Sequence, residues 1–342
     1  MLGLCLTAGC IQGGPTSWSP ATTRPDARLQ WPYLPGAAKV TYDHALSGVT
    51  PNKNMGTVFR SVILGDSDRN DGFVLPVAVA VAKDGRIAVA DMGRRCVHLY
   101  IPASSRYSCV AGPESQRITS PVGVVFDDEA TLYVTDSSGR LFAFDAQGAL
   151  KFVVTKAGPN LLQRPTGIAY SATKKALYVV DTLAHAVRVF GTDGEFRFSF
   201  GSRGSGNAEF NFPTHIAIAP SGELYVTDAL NFRVAIFDER GRPTGSFGHH
   251  GDGSGDLAMP KGIAVDCEGV VYVVDALFDN VQLFNRNGDF LLTIGGRGLG
   301  FGEFWLPSGS FLSEHGDLYV CDTYNRRVQV FRIVSGYEKR PA

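Results

Sequence analysis

The sequence predicts an all-β chain folded as a six-bladed β-propeller with four antiparallel strands per blade. Three observations predict it. The first is a five-residue run that occurs six times, best seen as Leu224-Tyr225-Val226-Thr227-Asp228. Its closing aspartates, Asp91, Asp136, Asp181, Asp228, Asp275 and Asp322, fall 45, 45, 47, 47 and 47 residues apart. The second is a proline that keeps the same time: Pro76, Pro121, Pro165, Pro213, Pro260 and Pro307, each ahead of a short apolar run such as Gly262-Ile263-Ala264-Val265. The third is that the runs closed by aspartate are apolar at nearly every position. That implies burial on both faces, as when sheets stack face to face. Self-similarity at this period marks a repeat architecture, and units of four short strands packed radially make a propeller.

A full unit is clearest at 213 to 248. Its first strand is Thr214 to Ala219, and a turn at Pro220-Ser221-Gly222-Glu223 follows. Leu224 to Thr227 is the second strand, Asp228 to Arg233 a tight loop, and Val234 to Phe237 the third strand. After Asp238-Glu239-Arg240-Gly241 the fourth strand ends at Ser246-Phe247-Gly248. Short runs rich in Val, Ile, Tyr and Phe, bounded by Gly, Asp, Asn and Pro, read as strands. The loop Asp136-Ser137-Ser138-Gly139-Arg140 is one residue shorter than its counterparts.

Blades therefore open at residues 76, 121, 165, 213, 260 and 307. The last has Ser308 to Leu312, Leu318 to Asp322 and Val328 to Val334 but no fourth strand, and a tail, 335–342, follows. Ahead of the repeats, Thr57-Val58-Phe59-Arg60-Ser61-Val62-Ile63-Leu64-Gly65 has the pattern of later fourth strands such as Glu195 to Gly201. Residues 57–65 are thus expected to complete the sixth blade, which would remove an unpaired edge and set the propeller at 57–334. The prolines between Leu29 and Leu46 force an extended course, and the second half of that arm can form a strand.

With 342 residues, one large domain with an N-terminal extension is the simplest count. The net charge is −1, from 32 basic and 33 acidic residues, so no broad positive field points to nucleic acid. No apolar run approaches the roughly 20 residues that span a bilayer. The first ten residues are apolar, and Leu6-Thr7-Ala8-Gly9-Cys10 resembles a bacterial lipobox with Cys10 as the lipidated residue. The pattern lacks a basic start and a long apolar region; a frayed apolar terminus with a chance cysteine is the other reading. Residues 1–10 are taken as a partial signal segment and 11–56 as a tether and extended arm. This places the chain in a bacterial cell envelope, with membrane contact only through an N-terminal lipid anchor.

Cys96 and Cys109 fall on two runs joined by Pro102 to Arg106. Paired as a hairpin, they could form a disulfide; two small buried residues is the equal alternative. No C-x-x-C spacing supports a thiolate zinc site. Gly201-Ser202-Arg203-Gly204-Ser205-Gly206 and Gly295-Gly296-Arg297-Gly298-Leu299-Gly300 resemble phosphate loops, but no helix pattern follows them. They read as connectors between blades. Neither a metal nor a cofactor is expected.

The recurring aspartates suit turn capping, each accepting bonds from N–H groups two or three residues on. Strand alternation puts the loops after second strands and the connectors before first strands on one rim. His185, His215 and His249-His250 should share it, either as a metal or base cluster or as scattered surface residues. Thr166, Thr214, Lys261 and Ser308 should lie at the channel mouth. Arg95, Asn231, Arg233, Asn325, Arg326 and Arg327 occupy the loops. Loops on a rigid scaffold commonly carry function, so this rim is the expected ligand or partner surface.

The pattern Pro-x-Gly-Ile-Ala…Gly-x-Leu-Tyr-Val-x-Asp-x-x-Asn-x-Arg-Val-x-x-Phe…Gly resembles the NHL repeat. The best copies are 213–248 and 307–331, with Asn231/Arg233 and Asn325/Arg327 in place. The whole layout is similar to bacterial NHL-repeat lipoproteins. The resemblance is specific for the fold and weak for function; the expected role is a non-enzymatic binding or scaffold module that offers a loop-rich face to a protein, peptide or glycan. The alternative is a propeller hydrolase or lyase with a metal near the channel. Peptidyl-amidoglycolate lyases are similar in fold and set zinc-binding histidines beside the blade-opening prolines. Here those places hold Val77, Val122, Thr166, Thr214, Lys261 and Ser308, so that assignment does not transfer. Calcium lactonases need convergent Asp, Glu and Asn, which apolar first strands do not obviously supply. The NHL domains of tripartite-motif proteins imply RNA or protein recognition, but no RING, B-box or basic surplus accompanies the repeats.

Overall fold

The computed structural model describes residues 17–32, 37–51 and 71–334. Five sheets have four antiparallel strands in chain order. Their first strands are Pro76–Val81, Pro121–Phe126, Pro165–Ser171, Pro213–Ile218 and Pro260–Val265. These and Ser310–Leu312 of the sixth sheet touch one another all round the ring and line a central channel. The chain forms a six-bladed β-propeller, with the blade-opening prolines at the places the sequence predicts.

The core lies between blades. Six apolar clusters occur among the described residues, one at each junction of neighbouring blades. Second strands supply both sides of these layers because alternate residues point to opposite faces. In blade four, Leu224 and Val226 join the layer with blade three, while Tyr225 joins the layer with blade five. This accounts for the continuous apolarity of those runs. The buried tyrosines still need partners for their hydroxyls. Tyr133 donates to Asp127 at 3.0 Å, and Tyr178 to the Glu239 carbonyl of the next blade at 2.9 Å.

The sixth blade closes the ring with an N-terminal strand, but that strand is Val40–Pro51. It pairs antiparallel with Arg327–Ile333, from Leu46 opposite Val328 to Val40 opposite Ile333. Residues 57–65 lie outside the described residues, and the edge expected for them is occupied. The tether expected at the start of 11–56 is corrected over its described residues, while the strand expected in the second half of the arm is present within Val40–Pro51. Trp18–Thr23 forms a fifth strand on the far side of Val40–Pro51, and Gln30–Trp31 adds a short pairing. The Trp18 N–H donates to the Ser105 carbonyl of blade one at 2.7 Å, and its ring packs on Tyr107 at 5.0 Å. The N-terminal ribbon thus straps the seam between the last and first blades. The candidate signal segment, Cys10 and the tail from 335 lie outside the described residues.

A disulfide joins Cys96 to Cys109 across the outer strands of blade one, with Cα atoms 5.7 Å apart. Cys267 is free and exposed; Cys321 is free and buried.

Candidate functional site

Each blade sends its loop between second and third strands, and the connector to the next blade, to one rim (the loop rim). The remaining turns form the opposite rim. Five of the loops end on a left-handed residue: Arg95, His185, Phe232, Asp279 and Arg326, with φ between 51 and 56°. The shorter loop of blade two ends instead on Gly139, at φ 90°, where glycine carries no Cβ penalty.

The six aspartates at the base of these loops are buried. They do more than cap their own turns. Each accepts backbone N–H groups 16 to 18 residues upstream, where the connector from the preceding blade arrives. Asp228 accepts from Asn211 at 2.6 Å, and Asp322 from Trp305 at 2.8 Å. Asp91, Asp136 and Asp275 also bind N–H groups two or three residues ahead. A basic side chain on the third strand faces five of them: His98, Arg140, Arg188, Arg233 and Arg327. Burial opposes ionisation of Asp91, but the His98 hydrogen bond and backbone donors outweigh it and hold the carboxyl at about 2. For Asp228 and Asp322 burial wins, and both are raised.

The loop residues singled out from sequence turn inward to the same clamps. Arg233 donates to Asp228 at 2.9 Å and to the Ser205, Gly206 and Glu209 carbonyls at 3.0, 2.8 and 2.9 Å. Asn231 bridges Asp228 and the Gly204 carbonyl. Asn325 and Arg327 repeat this with Asp322 and the connector carrying Gly298, Gly300 and Glu303. These residues hold the Gly-rich connectors, as the sequence reading of those segments requires. Arg95 and Arg326 are exposed and make no side-chain bond among the described residues.

At the channel mouth the hydroxyls link blades. Thr166 donates to the Thr214 carbonyl at 2.8 Å, and Ser308 to the Val77 carbonyl at 3.0 Å. Thr214 meets Thr227 at 2.9 Å and the Pro260 carbonyl at 3.4 Å. Thr135 donates to the Thr166 carbonyl. The first strands approach so closely that a Cβ on Gly167 would meet the His215 Cα, and one on Gly262 the Ser308 carbonyl oxygen.

His215 stands where Gly123, Gly167, Gly262 and Gly309 stand in other blades. Both its ring nitrogens are shielded from solvent and unbonded among the described residues. Burial, with the Lys261 ammonium nearby, lowers its pKa to about 3; burial lowers Lys261 too. The other histidines do not join it. His185 is buried with Nδ1 3.1 Å from the Phe210 carbonyl oxygen, His249 pairs with Asp256 at 2.6 Å, and His250 packs on Phe232 at 4.3 Å. No three His, Cys, Asp or Glu side chains converge to hold a metal among the described residues.

Sequence reasoning missed an arc of exposed apolar side chains on the loop rim. Leu183, Leu230, Leu277 and Tyr324 each sit two residues after a closing aspartate, in blades three to six, and are 43 to 58% exposed. Met92 in blade one and Trp305 and Leu299 on the last connector extend the arc. Trp305 and Tyr324 pack at 5.6 Å. The signal was present, because the repeat puts Leu, Leu, Leu and Tyr at one register in four successive units.

The opposite mouth is concave. Two adjoining hollows of about 530 and 750 Å³ share Tyr170, Ala172, Leu312, Ser313 and Glu314. Charges there pair with each other: Lys83 with Asp128 at 3.3 Å and Glu314 at 3.5 Å, and Lys175 with Asp128 at 2.7 Å.

A family model described as a 6-bladed beta-propeller matches residues 159–224. A search of curated protein sequences finds no match. Among solved structures, virginiamycin B lyase from Staphylococcus aureus is similar with a TM-score of 0.57 and 12% identity, over 76% of this chain and 96% of that one. A gluconolactonase from Xanthomonas campestris gives 0.58 and 16%, over 76% and 86%. A chain of a nidogen/laminin complex gives 0.53 and 17%, over 66% and 81%. At these identities the likeness establishes the propeller fold, shared by two enzymes and a chain from a protein–protein complex.

Proposed function

We propose that this chain is an NHL-type propeller serving as a non-enzymatic binding or scaffold module of a bacterial cell envelope, tethered through Cys10. Its loop rim is the face offered to a protein, peptide or glycan. The observation that carries the reading is the exposed arc Leu183, Leu230, Leu277 and Tyr324. Large apolar side chains left exposed at one register of four successive blades are a repeated feature of this rim, whereas Asn231, Arg233, Asn325 and Arg327 are spent on holding the connectors. A photo-crosslinking side chain at Leu230 in producing cells should give discrete adducts. The same group at Arg240, on the opposite rim, should give none. Equal labelling from both positions would refute the assignment.

The second reading is a propeller hydrolase or lyase with a metal near the channel. His215, with no hydrogen bond among the described residues and Lys261 nearby, favours it, as does the likeness to a lyase and a gluconolactonase in fold. Metal analysis of the purified chain discriminates: stoichiometric zinc or calcium lost on His215→Ala would move the assignment to this reading.

A further inference from the structure

We infer that the loop rim docks on an anionic lipid surface. The inference rests on reading this rim as a binding face and goes beyond the protein, peptide or glycan partner proposed for it. The apolar tips Leu183, Leu230, Leu277 and Tyr324 share one register in four successive blades, so the ring geometry sets them at a common height. They are separate points around a channel rather than one continuous patch, and Trp305 and Leu299 stand among them. Six exposed arginines interleave with them on loops and connectors: Arg95, Arg117, Arg164, Arg203, Arg297 and Arg326. None has a side-chain hydrogen bond or ion pair among the described residues.

The exposed acids of this rim are fewer. Glu114 and Asp252 stand free among the described residues, and Glu303 accepts the Gly300 N–H. The apolar tips stand apart with the arginine guanidinium groups between them, an arrangement that can meet a plane of headgroups point by point. Protruding Leu, Trp and Tyr side chains can enter the headgroup–acyl boundary while surrounding guanidinium groups meet lipid phosphates. The Trp305–Tyr324 pair suits that boundary, being apolar in body and polar at the tip. Among the described residues the turns of the opposite rim expose no large apolar side chain, and Lys83, Lys175, Asp128 and Glu314 beside its hollows pair with one another.

The test is flotation of the full chain carrying Cys10→Ser, which removes the candidate acylation site, with phosphatidylcholine vesicles alone or with about a third phosphatidylglycerol. The chain should float with the anionic vesicles and far less with the neutral ones, and salt near roughly 1 M should weaken the binding. Combining Leu183→Ser, Leu230→Ser, Leu277→Ser and Tyr324→Ser should lower partitioning about tenfold or more. Leu291→Ser, an equally exposed site on an outer strand, should leave it unchanged and shows that the loss is local. Absence of vesicle binding, or the same binding by the fourfold variant, overturns the inference. Protein adducts from Leu230 without vesicle binding would overturn the lipid occupant and leave the binding face standing.

Discussion

Asp228 is buried, yet it gathers the Asn211 N–H, the Asn231 amide and the Arg233 guanidinium around one carboxylate. Asp228→Ala would leave the Asn211 N–H without its acceptor and remove the carboxylate from Arg233 and Asn231, which keep their carbonyl partners on the connector. Losing a charged hydrogen bond and the acceptor of a buried N–H costs about 3 kcal/mol, which should appear as a lower urea midpoint with little change in slope. The clamps differ in their response to acid. Asp91 is held at about 2 against an ordinary 3.8. Its contribution is therefore complete above about pH 4 and lost as pH falls toward 2, amounting to about 2.5 kcal/mol. Asp322 is raised, so its ionisation on going to higher pH favours the unfolded chain. The stability difference between wild type and Asp91→Asn should thus shrink between pH 4 and 2, while that for Asp322→Asn should move the other way. Urea titrations at stepped pH would read both signs. The aspartates were legible in the sequence as structural residues; their partners were not. The decisive N–H groups belong to connectors that no local turn rule reaches, and the loop asparagines and arginines look solvent-facing until those connectors are in place.

Two elements outside the regular repeat lie on the two sides of the ring's seam. In blade one the Cys96–Cys109 disulfide closes a 13-residue separation beside Tyr107, on which Trp18 packs. A loop of this size implies about 3 kcal/mol from restricting the unfolded chain, so reduction should lower the urea midpoint accordingly; an unchanged midpoint would show the bridge to be incidental. In blade six the closing strand is the place where sequence reading chose the wrong segment. Both 40–46 and 57–65 are short runs that include β-branched and aromatic residues, and either could lie against an edge. The choice is set by register with residues nearly 300 positions away: Ala45 faces Gln329 on one side and Thr23 on the other. Ala45→Pro should disrupt a strand paired on both sides and cost about 3 kcal/mol or more. Replacing 57–65 by a Gly/Ser linker of equal length should leave the midpoint within error. The reverse ranking would return the closing role to 57–65.

At the scale of the molecule, stability is shared among apolar layers that belong to junctions rather than to blades. The N-terminal arm contributes to two of them. Trp31, Val40 and Tyr42 enter the layer between blades five and six, and Leu46 enters the layer between blades six and one. A chain beginning at residue 71 would lose these side chains and expose the Arg327–Ile333 edge together. Repeat arrays with open ends unfold by nearest-neighbour steps, whereas closure couples every junction to the next. The truncated chain should therefore unfold over a broader urea range, in more than one step, and self-associate through its free edge. Adding a peptide of residues 37–51 should restore a single transition and suppress association, since it supplies the edge pairing and every missing apolar group named here except Trp31. A monomeric truncated chain with one sharp transition would mean that the blades cohere without the arm, and the strap would then be a surface feature rather than the clasp of the ring.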